Sequence, residues 1–83
     1  MDYGRELNLT EEQKQMLMNY PTTRQKRYGV RVRQYAIKGK PVNAYSIEYY
    51  INTNGYSGYQ NYFDVSRQEL TAILDGKKTQ KLR

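Results

Sequence analysis

The 83-residue chain contains no cysteine and no histidine. Without cysteine it has no disulfide scaffold, no thiolate zinc site and no thiol nucleophile. Without histidine it lacks imidazole metal ligands and the usual general base near neutral pH. We therefore expect a protein that binds no metal or cofactor and is not an enzyme.

Long apolar runs are absent as well. No run of apolar residues exceeds three, whereas a membrane-spanning helix needs about 20. The N-terminus lacks the apolar stretch of a signal peptide. We expect a soluble, cytoplasmic protein with no membrane partner.

Aliphatic core material is scarce. Hydrophobic residues make up 37% of the chain, and ten of them are tyrosines. A chain of this length forms one small domain, with a stability on the order of 3–5 kcal/mol. The binding of a partner would then contribute a large share of its effective stability.

Positive charge is abundant and unevenly distributed. The net charge is +6, and residues 21–40 contain seven basic residues and no acidic one. A second basic block lies in the tail, at Lys77, Lys78, Lys81 and Arg83. Two separate basic blocks are typical of proteins that bind a polyanion, although basic loops and tails also serve solubility alone.

The basic stretch also has the pattern of a β-strand. Tyr28, Val30 and Val32 alternate with Arg31 and Arg33, as in a strand with one buried and one solvated face. Further strand signals follow, so we predict strands over about 28–37, 42–52 and 57–64.

The strand pattern also predicts how the strands pair. A four-residue loop at 38–41 places Val32 opposite Ile47 and Arg31 opposite Glu48. For the second hairpin, a two-residue turn would send Phe63 to the solvated face. We therefore predict a three-residue loop in which Gly55 is a left-handed bulge residue.

Helix signals lie on either side of the strands. Thr10 and Gln13 have the spacing of a capping box, and Pro21 would end that helix. Ser66 and Glu69 repeat the same spacing before the second helix, which Gly76 would end.

The expected fold is a small single α+β domain of order α-β-β-β-α, with a three-stranded antiparallel sheet and both helices on one face. Residues 1–8 would form a flexible N-terminal arm, residues 9–76 the domain, and residues 77–83 a basic tail. In topology alone, the order resembles double-stranded RNA-binding domains and the arm-binding domains of tyrosine recombinases. The lysine cluster that begins the last helix of the first family is absent at Ser66–Glu69, so no residue roles are transferred.

The face without helices would carry arginine and tyrosine. Arginine binds phosphate or guanine with two hydrogen bonds, and tyrosine rings stack on unpaired bases. We therefore predict a nucleic-acid-binding protein, with DNA or RNA and single or double strands left open. The candidate contact residues are Arg24, Lys26, Arg27, Arg31, Arg33, Tyr35, Lys38, Lys40, Tyr50 and Tyr62.

Two other functions remain open. Tyrosine and arginine are also common at protein interfaces, so the chain could be a small phage or mobile-element protein that binds and inhibits a host protein. A toxin-type ribonuclease is the third alternative. Its acid–base residues would have to come from Glu48 or Asp64, and the sequence gives both of them ordinary roles within the sheet.

Overall fold

The structure is a computed structural model that describes residues 2–20 and 26–75. It contains four strands and two helices, which are β1 (Asp2–Glu6), α1 (Glu11–Met18), β2 (Gly29–Ile37), β3 (Lys40–Thr53), β4 (Tyr56–Val65) and α2 (Arg67–Leu74). The strands form one antiparallel sheet in the order β1-β2-β3-β4. The predicted α+β class is confirmed, but the sheet has one more strand than expected.

The additional strand is β1, within the segment expected to be an arm. It pairs with β2, with Asp2 opposite Ala36 and Tyr3 opposite Tyr35. A Cβ atom at Gly4 would lie 2.6 Å from the carbonyl oxygen of Gln34. Glycine at this position therefore allows β1 to approach β2 closely enough to extend the sheet.

The first hairpin is tighter than expected. Lys38 and Gly39 alone form its turn, with φ of 50° and 81°, and Ile37 pairs with Lys40. Positive φ at both central residues is the pattern of two-residue type I′ turns. Lys40 and Pro41 therefore belong to β3, and the predicted four-residue loop is wrong.

The predicted register of β2 against β3 is nevertheless confirmed along the body of the strands. Val32 pairs with Ile47, and Arg31 pairs with Glu48. An irregularity near the hairpin, where β3 contributes extra residues, reconciles the short turn with this register.

The second hairpin also has a two-residue turn. Thr53 pairs with Tyr56 around Asn54 and Gly55, whose φ values are 44° and 83°. The positive φ of Gly55 is as predicted, but the three-residue loop is wrong. Asparagine followed by glycine is a preferred pair for this turn because both residues tolerate positive φ.

A bulge occurs inside β4 instead of in the loop. Ile47 pairs with Phe63 while Glu48 pairs with Asn61, so Tyr62 is an additional residue on β4. From this point the side chains of β4 exchange faces. Phe63 therefore packs against the core as predicted, through a bulge in the strand.

Both predicted capping boxes are present. The Thr10 hydroxyl accepts a hydrogen bond from the Gln13 amide at 3.1 Å, and the Gln13 side chain accepts one from the Thr10 amide at 3.0 Å. Ser66 and Glu69 make the same reciprocal bonds at the start of α2. Each box satisfies two backbone donors that an isolated helix would leave open. The expected stops at Pro21 and Gly76 lie outside the described residues.

Both helices pack against the same face of the sheet. Residues from α1, β2, β3 and α2 form one core, whose buried members are Leu17, Val30, Val32, Tyr45, Ile47, Tyr49, Leu70 and Ile73. The other side of the sheet, which we call the open face, carries alternate residues of the central strands, among them Arg31, Arg33, Tyr35, Ser46, Glu48, Tyr50, Tyr59 and Asn61. In the described part of the chain, neither helix is long and apolar enough to cross a membrane.

Two side chains from outside α1 donate hydrogen bonds to backbone carbonyls at its C-terminal end. The Tyr49 hydroxyl, fully buried, donates to the Leu17 carbonyl at 2.6 Å and also contacts the Tyr20 carbonyl. The Arg27 guanidinium lies 3.9 Å from the Tyr49 ring centroid and donates to the carbonyls of Met18 and Tyr20 at 3.3 Å. Burial raises the pKa of Tyr49 to about 12, against the opposing effect of the Arg27 charge. A cation at this position also interacts favourably with the negative end of the helix.

Candidate functional site

A buried carboxylate lies at the centre of the open face. Glu48 is only 1% exposed, although neither of the two described helices covers it. Arg31 donates to one carboxylate oxygen at 2.6 Å, and Arg33 donates to the other at 2.8 and 3.1 Å. Burial alone would raise the pKa of Glu48, but hydrogen bonds from Arg33, Arg31 and Ser46 outweigh it and the pKa is lowered. Glu48 is therefore an ionised anchor for both arginines.

Tyrosine rings cover the two guanidinium groups. The Arg33 guanidinium carbon lies 3.7 Å from the ring centroid of Tyr3, and that of Arg31 lies 4.3 Å from the centroid of Tyr59. Tyr3 also stacks on Tyr35, with ring centroids 5.2 Å apart and planes 21° apart. On the open face, Glu48 is therefore surrounded by guanidinium groups, and tyrosine rings pack against those groups.

A chain of hydrogen bonds continues from Glu48 towards β4. The Ser46 hydroxyl donates to Glu48 at 2.9 Å and accepts a hydrogen bond from Asn61 at 2.6 Å. Asp64 accepts hydrogen bonds from Asn61 at 3.0 Å and from the Tyr35 hydroxyl at 2.9 Å. Burial, followed by the hydrogen bond to Asp64, raises the pKa of Tyr35 to about 12. This network fixes the ring of Tyr35 in place.

The middle of the open face carries little net charge as a result. The positive charges of Arg31 and Arg33 are balanced by Glu48 and Asp64. Only 28% and 25% of the two arginine side chains are exposed. These two arginines stabilise the open face through their ion pairs with Glu48. A positive potential on this side of the sheet would have to come from other basic residues.

The structure distributes the remaining predicted contact residues over several places. Tyr50 lies on the open face, where its ring meets Tyr59 edge-on. Arg27 lies at the end of α1, and Lys26 beside it is exposed. Arg24 lies outside the described residues. Tyr62 was expected on the open face, but the β4 bulge turns it onto the core side, where its ring packs edge-on against Tyr49.

Basic residues without an ion pair gather at the hairpin end of the sheet, which we define as the β2–β3 turn and its surroundings. Lys38 and Lys40 are exposed there. Arg5 of β1 and Arg67 of α2 line a shallow cleft beside the turn, together with Gly4, Gln34, Gly39 and Pro41. Among the described residues, none of these four cations forms a salt bridge, and no acidic residue lines the cleft.

A cleft of opposite charge lies at the other end of α2. Its walls include Glu11 and Glu12 from the start of α1 and Asp75 from the end of α2. Since Arg67 is the first residue of α2 and Asp75 follows its last, the helix separates a basic cleft from an acidic one by about 12 Å.

The sequence pattern places Tyr59 on the same side of β4 as Phe63 and so misses its position on the open face. It also misses Tyr3, Arg5 and Arg67. Tyr3 and Arg5 lie in the segment expected to be an arm, and Arg67 lies within Ser66–Glu69, where the sequence has no lysine cluster. The alternation of Asp2–Glu6 is too short and too polar to signal a strand, so no sequence pattern could have connected these residues with the hairpin.

Comparisons with protein-family models, with curated proteins and with solved structures find no match to this chain. In the described parts of the chain, no group of three or more acidic residues is arranged to hold a metal ion.

Proposed function

We propose that the protein binds nucleic acid, DNA or RNA, through the hairpin end of its open face. The observation that carries the proposal is the stacked pair of Tyr3 and Tyr35 at the same end of the sheet as Lys38 and Lys40. Tyr3 is 46% exposed as a residue, so it is accessible to a partner at the edge of the sheet. Aromatic rings beside exposed cations form the usual binding surface for unpaired nucleotides.

The roles of the residues follow from their chemistry. Stacking on a tyrosine ring contributes about 1–3 kcal/mol per base and requires a base that is not already stacked in a duplex. The lysines would interact with backbone phosphates as point charges, without regard to sequence. Arg31 and Arg33 would act indirectly, by holding the rings of Tyr59 and Tyr3 in place. A preference for single strands, with little sequence specificity, is the expected behaviour.

Binding without catalysis is part of this proposal. A general base needs an accessible carboxylate with a pKa near the working pH, but Glu48 is buried, doubly ion-paired and has a lowered pKa. Asp64 accepts hydrogen bonds from two neighbours on the sheet. These observations give no support to a ribonuclease.

The direct test is a set of binding measurements by fluorescence anisotropy. Single-stranded and double-stranded DNA and RNA of the same sequence would be titrated at 50 and 200 mM salt. We expect the tightest binding to single strands and a steep loss of affinity at the higher salt. If none of the four nucleic acids shows salt-sensitive binding, the proposal is wrong.

Paired variants separate stacking from charge. Tyr3→Leu should weaken binding to single strands by about 1–3 kcal/mol, and Tyr3→Phe should leave it nearly unchanged because the ring remains. Lys38→Ala and Lys40→Ala should each lower the salt slope by about one unit. Lys14→Ala removes the same charge from α1 and is the matched control, for which no change in slope is expected.

A protein partner is the second candidate, and one observation favours it. The centre of the open face is aromatic and electrically balanced, whereas nucleic-acid interfaces are strongly positive. Tyrosine and arginine are also enriched at protein-interface hot spots. If the isolated protein binds no nucleic acid, this face becomes the place to search for a host protein that it inhibits.

A further inference from the structure

We propose that the cleft lined by Arg5 and Arg67 is a binding site for a phosphate group. The cleft lies between β1, the β2–β3 hairpin and the start of α2, and its volume is about 460 Å³. This is within the range of small-molecule sites. Tyr35 of the open face also lines the cleft, but phosphate binding there requires neither its ring nor the binding of nucleic acid.

The charges in the cleft come from opposite ends of the chain. Arg5 and Arg67 are 62 positions apart in sequence, yet both line this cleft, and the described residues include no carboxylate that neutralises either one there. Two like charges facing the same space repel each other unless an anion lies between them. Arginine presents a planar fork of donors that matches the oxygens of phosphate, which makes this anion the best chemical fit.

The walls of the cleft are held in place. The amide nitrogen of Gln34 donates to the Val42 carbonyl at 3.0 Å, which fixes this side chain. The Arg67 backbone amide donates to the Asn43 side chain at 2.7 Å, which ties the start of α2 to β3. The site would therefore need little rearrangement when a ligand binds.

Two glycines and the start of α2 also favour the binding of an anion in the cleft. Gly4 and Gly39 both line the cleft and add no side chain to fill it. The positive end of the α2 dipole points to the same region, and the Glu69 carboxylate in the first turn offsets part of its attraction for an anion. A second cleft continues past Arg67 to Gln68 and shares Gln34, Pro41 and Arg67 with the first. The two clefts together leave room for a phosphate group that is attached to a larger molecule.

The test is an NMR titration of the full chain with inorganic phosphate, at ionic strength held constant with chloride. We expect saturable shifts confined to the backbone amides around Gly4, Arg5, Gly39 and Arg67. Arg5→Gln and Arg67→Gln should each weaken binding at least tenfold. Both side chains are exposed, so both variants should fold. Lys14→Gln removes an equal charge elsewhere and should bind phosphate as the wild type does.

Two further titrations identify the source of the phosphate. Oligonucleotides with and without a 5′-phosphate would be compared on the wild type and on Arg67→Gln. Tighter binding of the 5′-phosphorylated strand, lost in Arg67→Gln, would identify a terminal phosphate as the ligand. Equal binding of both strands, with saturation by inorganic phosphate retained, would identify a backbone or free phosphate. Either result supports the site.

The site is refuted by shifts that do not saturate, or that spread equally to Lys14 and Lys26, which do not line the cleft. Shifts that persist in both arginine variants would refute it as well. Phosphate binding without oligonucleotide binding would retain this site and overturn the proposed function. Oligonucleotide binding without saturable phosphate binding in the cleft would retain the proposed function and overturn this site. The two proposals can therefore fail separately.

Discussion

Arg33 donates from Nε and from Nη2 to the same oxygen of Glu48, at 3.1 and 2.8 Å. Both side chains lie on the face opposite the two described helices, yet the Glu48 side chain is only 2% exposed. The arginine itself therefore provides part of the cover, and its removal would leave a buried charge with fewer partners.

This pairing makes Glu48 a residue on which folding depends. Glu48→Ala leaves Arg31 and Arg33 without their acceptor, and removing one partner of a buried ion pair costs about 3–5 kcal/mol. That is comparable to the whole stability expected for a domain of this size. Urea denaturation followed by circular dichroism should find the variant largely unfolded in buffer. Glu11→Ala, which breaks an exposed pair with Lys14, should change stability by at most about 0.5 kcal/mol.

The stability of the protein should also fall in acid because of Glu48. Its pKa is lowered in the folded state, so its contribution is fully present above the unfolded pKa of about 4.3 and is lost as the pH falls through the folded pKa. Urea titrations between pH 6 and 2.5 should show a declining free energy of unfolding. Glu48→Gln should show a shallower decline over the same interval. Identical profiles for the two proteins would contradict this assignment.

Arg27 should be a structural residue. Arg27→Ala removes the donor to the last carbonyls of α1 and the cation above Tyr49, for which we expect a cost of about 2 kcal/mol. Arg27→Lys should recover little of this lost stability, because an ammonium group lacks the planar fork of hydrogen-bond donors that arginine has. Thermal unfolding is the measurement. Lys26→Ala removes the same charge from an exposed neighbour and should melt close to the wild-type temperature.

The second hairpin gives a prediction about backbone conformation. Gly55 has a φ of 83°, where a β-branched side chain is strained even though no neighbouring atom would touch its Cβ. Gly55→Val should therefore destabilise the domain by about 1–3 kcal/mol. Asn54→Gly at the preceding position should be tolerated, since glycine adopts the same conformation freely. A Gly55→Val variant with an unchanged melting temperature would contradict the turn.

The sequence was sufficient for the elements that have strong local signals. The Thr10 and Ser66 capping boxes and the pairing of Val32 with Ile47 could all be predicted, because each depends on residue type at a fixed spacing. Strand β1 could not be predicted from the sequence, because an edge strand pairs through its backbone and needs few apolar side chains. The short turn at Lys38 and Gly39 was missed because the extra residues that accommodate it lie further along β3.

The candidate site was harder to predict than the fold. The bulge at Tyr62 lies next to Phe63, and alternation cannot decide which of two adjacent aromatic residues faces the core. The register predicts the pairing of Arg31 with Glu48. The hydrogen bonds from Arg33 to Glu48 run diagonally across the strands and depend on the direction of the arginine side chain, which the register does not determine. Arg5 and Arg67 could be connected only after β1 had been placed beside the hairpin.

The opposite charges at the two ends of α2 have a kinetic consequence. Among the described residues, arginines lie at one end of this helix and Glu11, Glu12 and Asp75 at the other, so these residues contribute a dipole moment along that axis. In the field of a polyanion, such a molecule is turned during its approach, so a larger share of collisions begins with the basic end forward. If the protein binds a polyanion as proposed, the acidic cleft would face away from it, biasing the orientation of approach while leaving the dissociation rate constant almost unchanged.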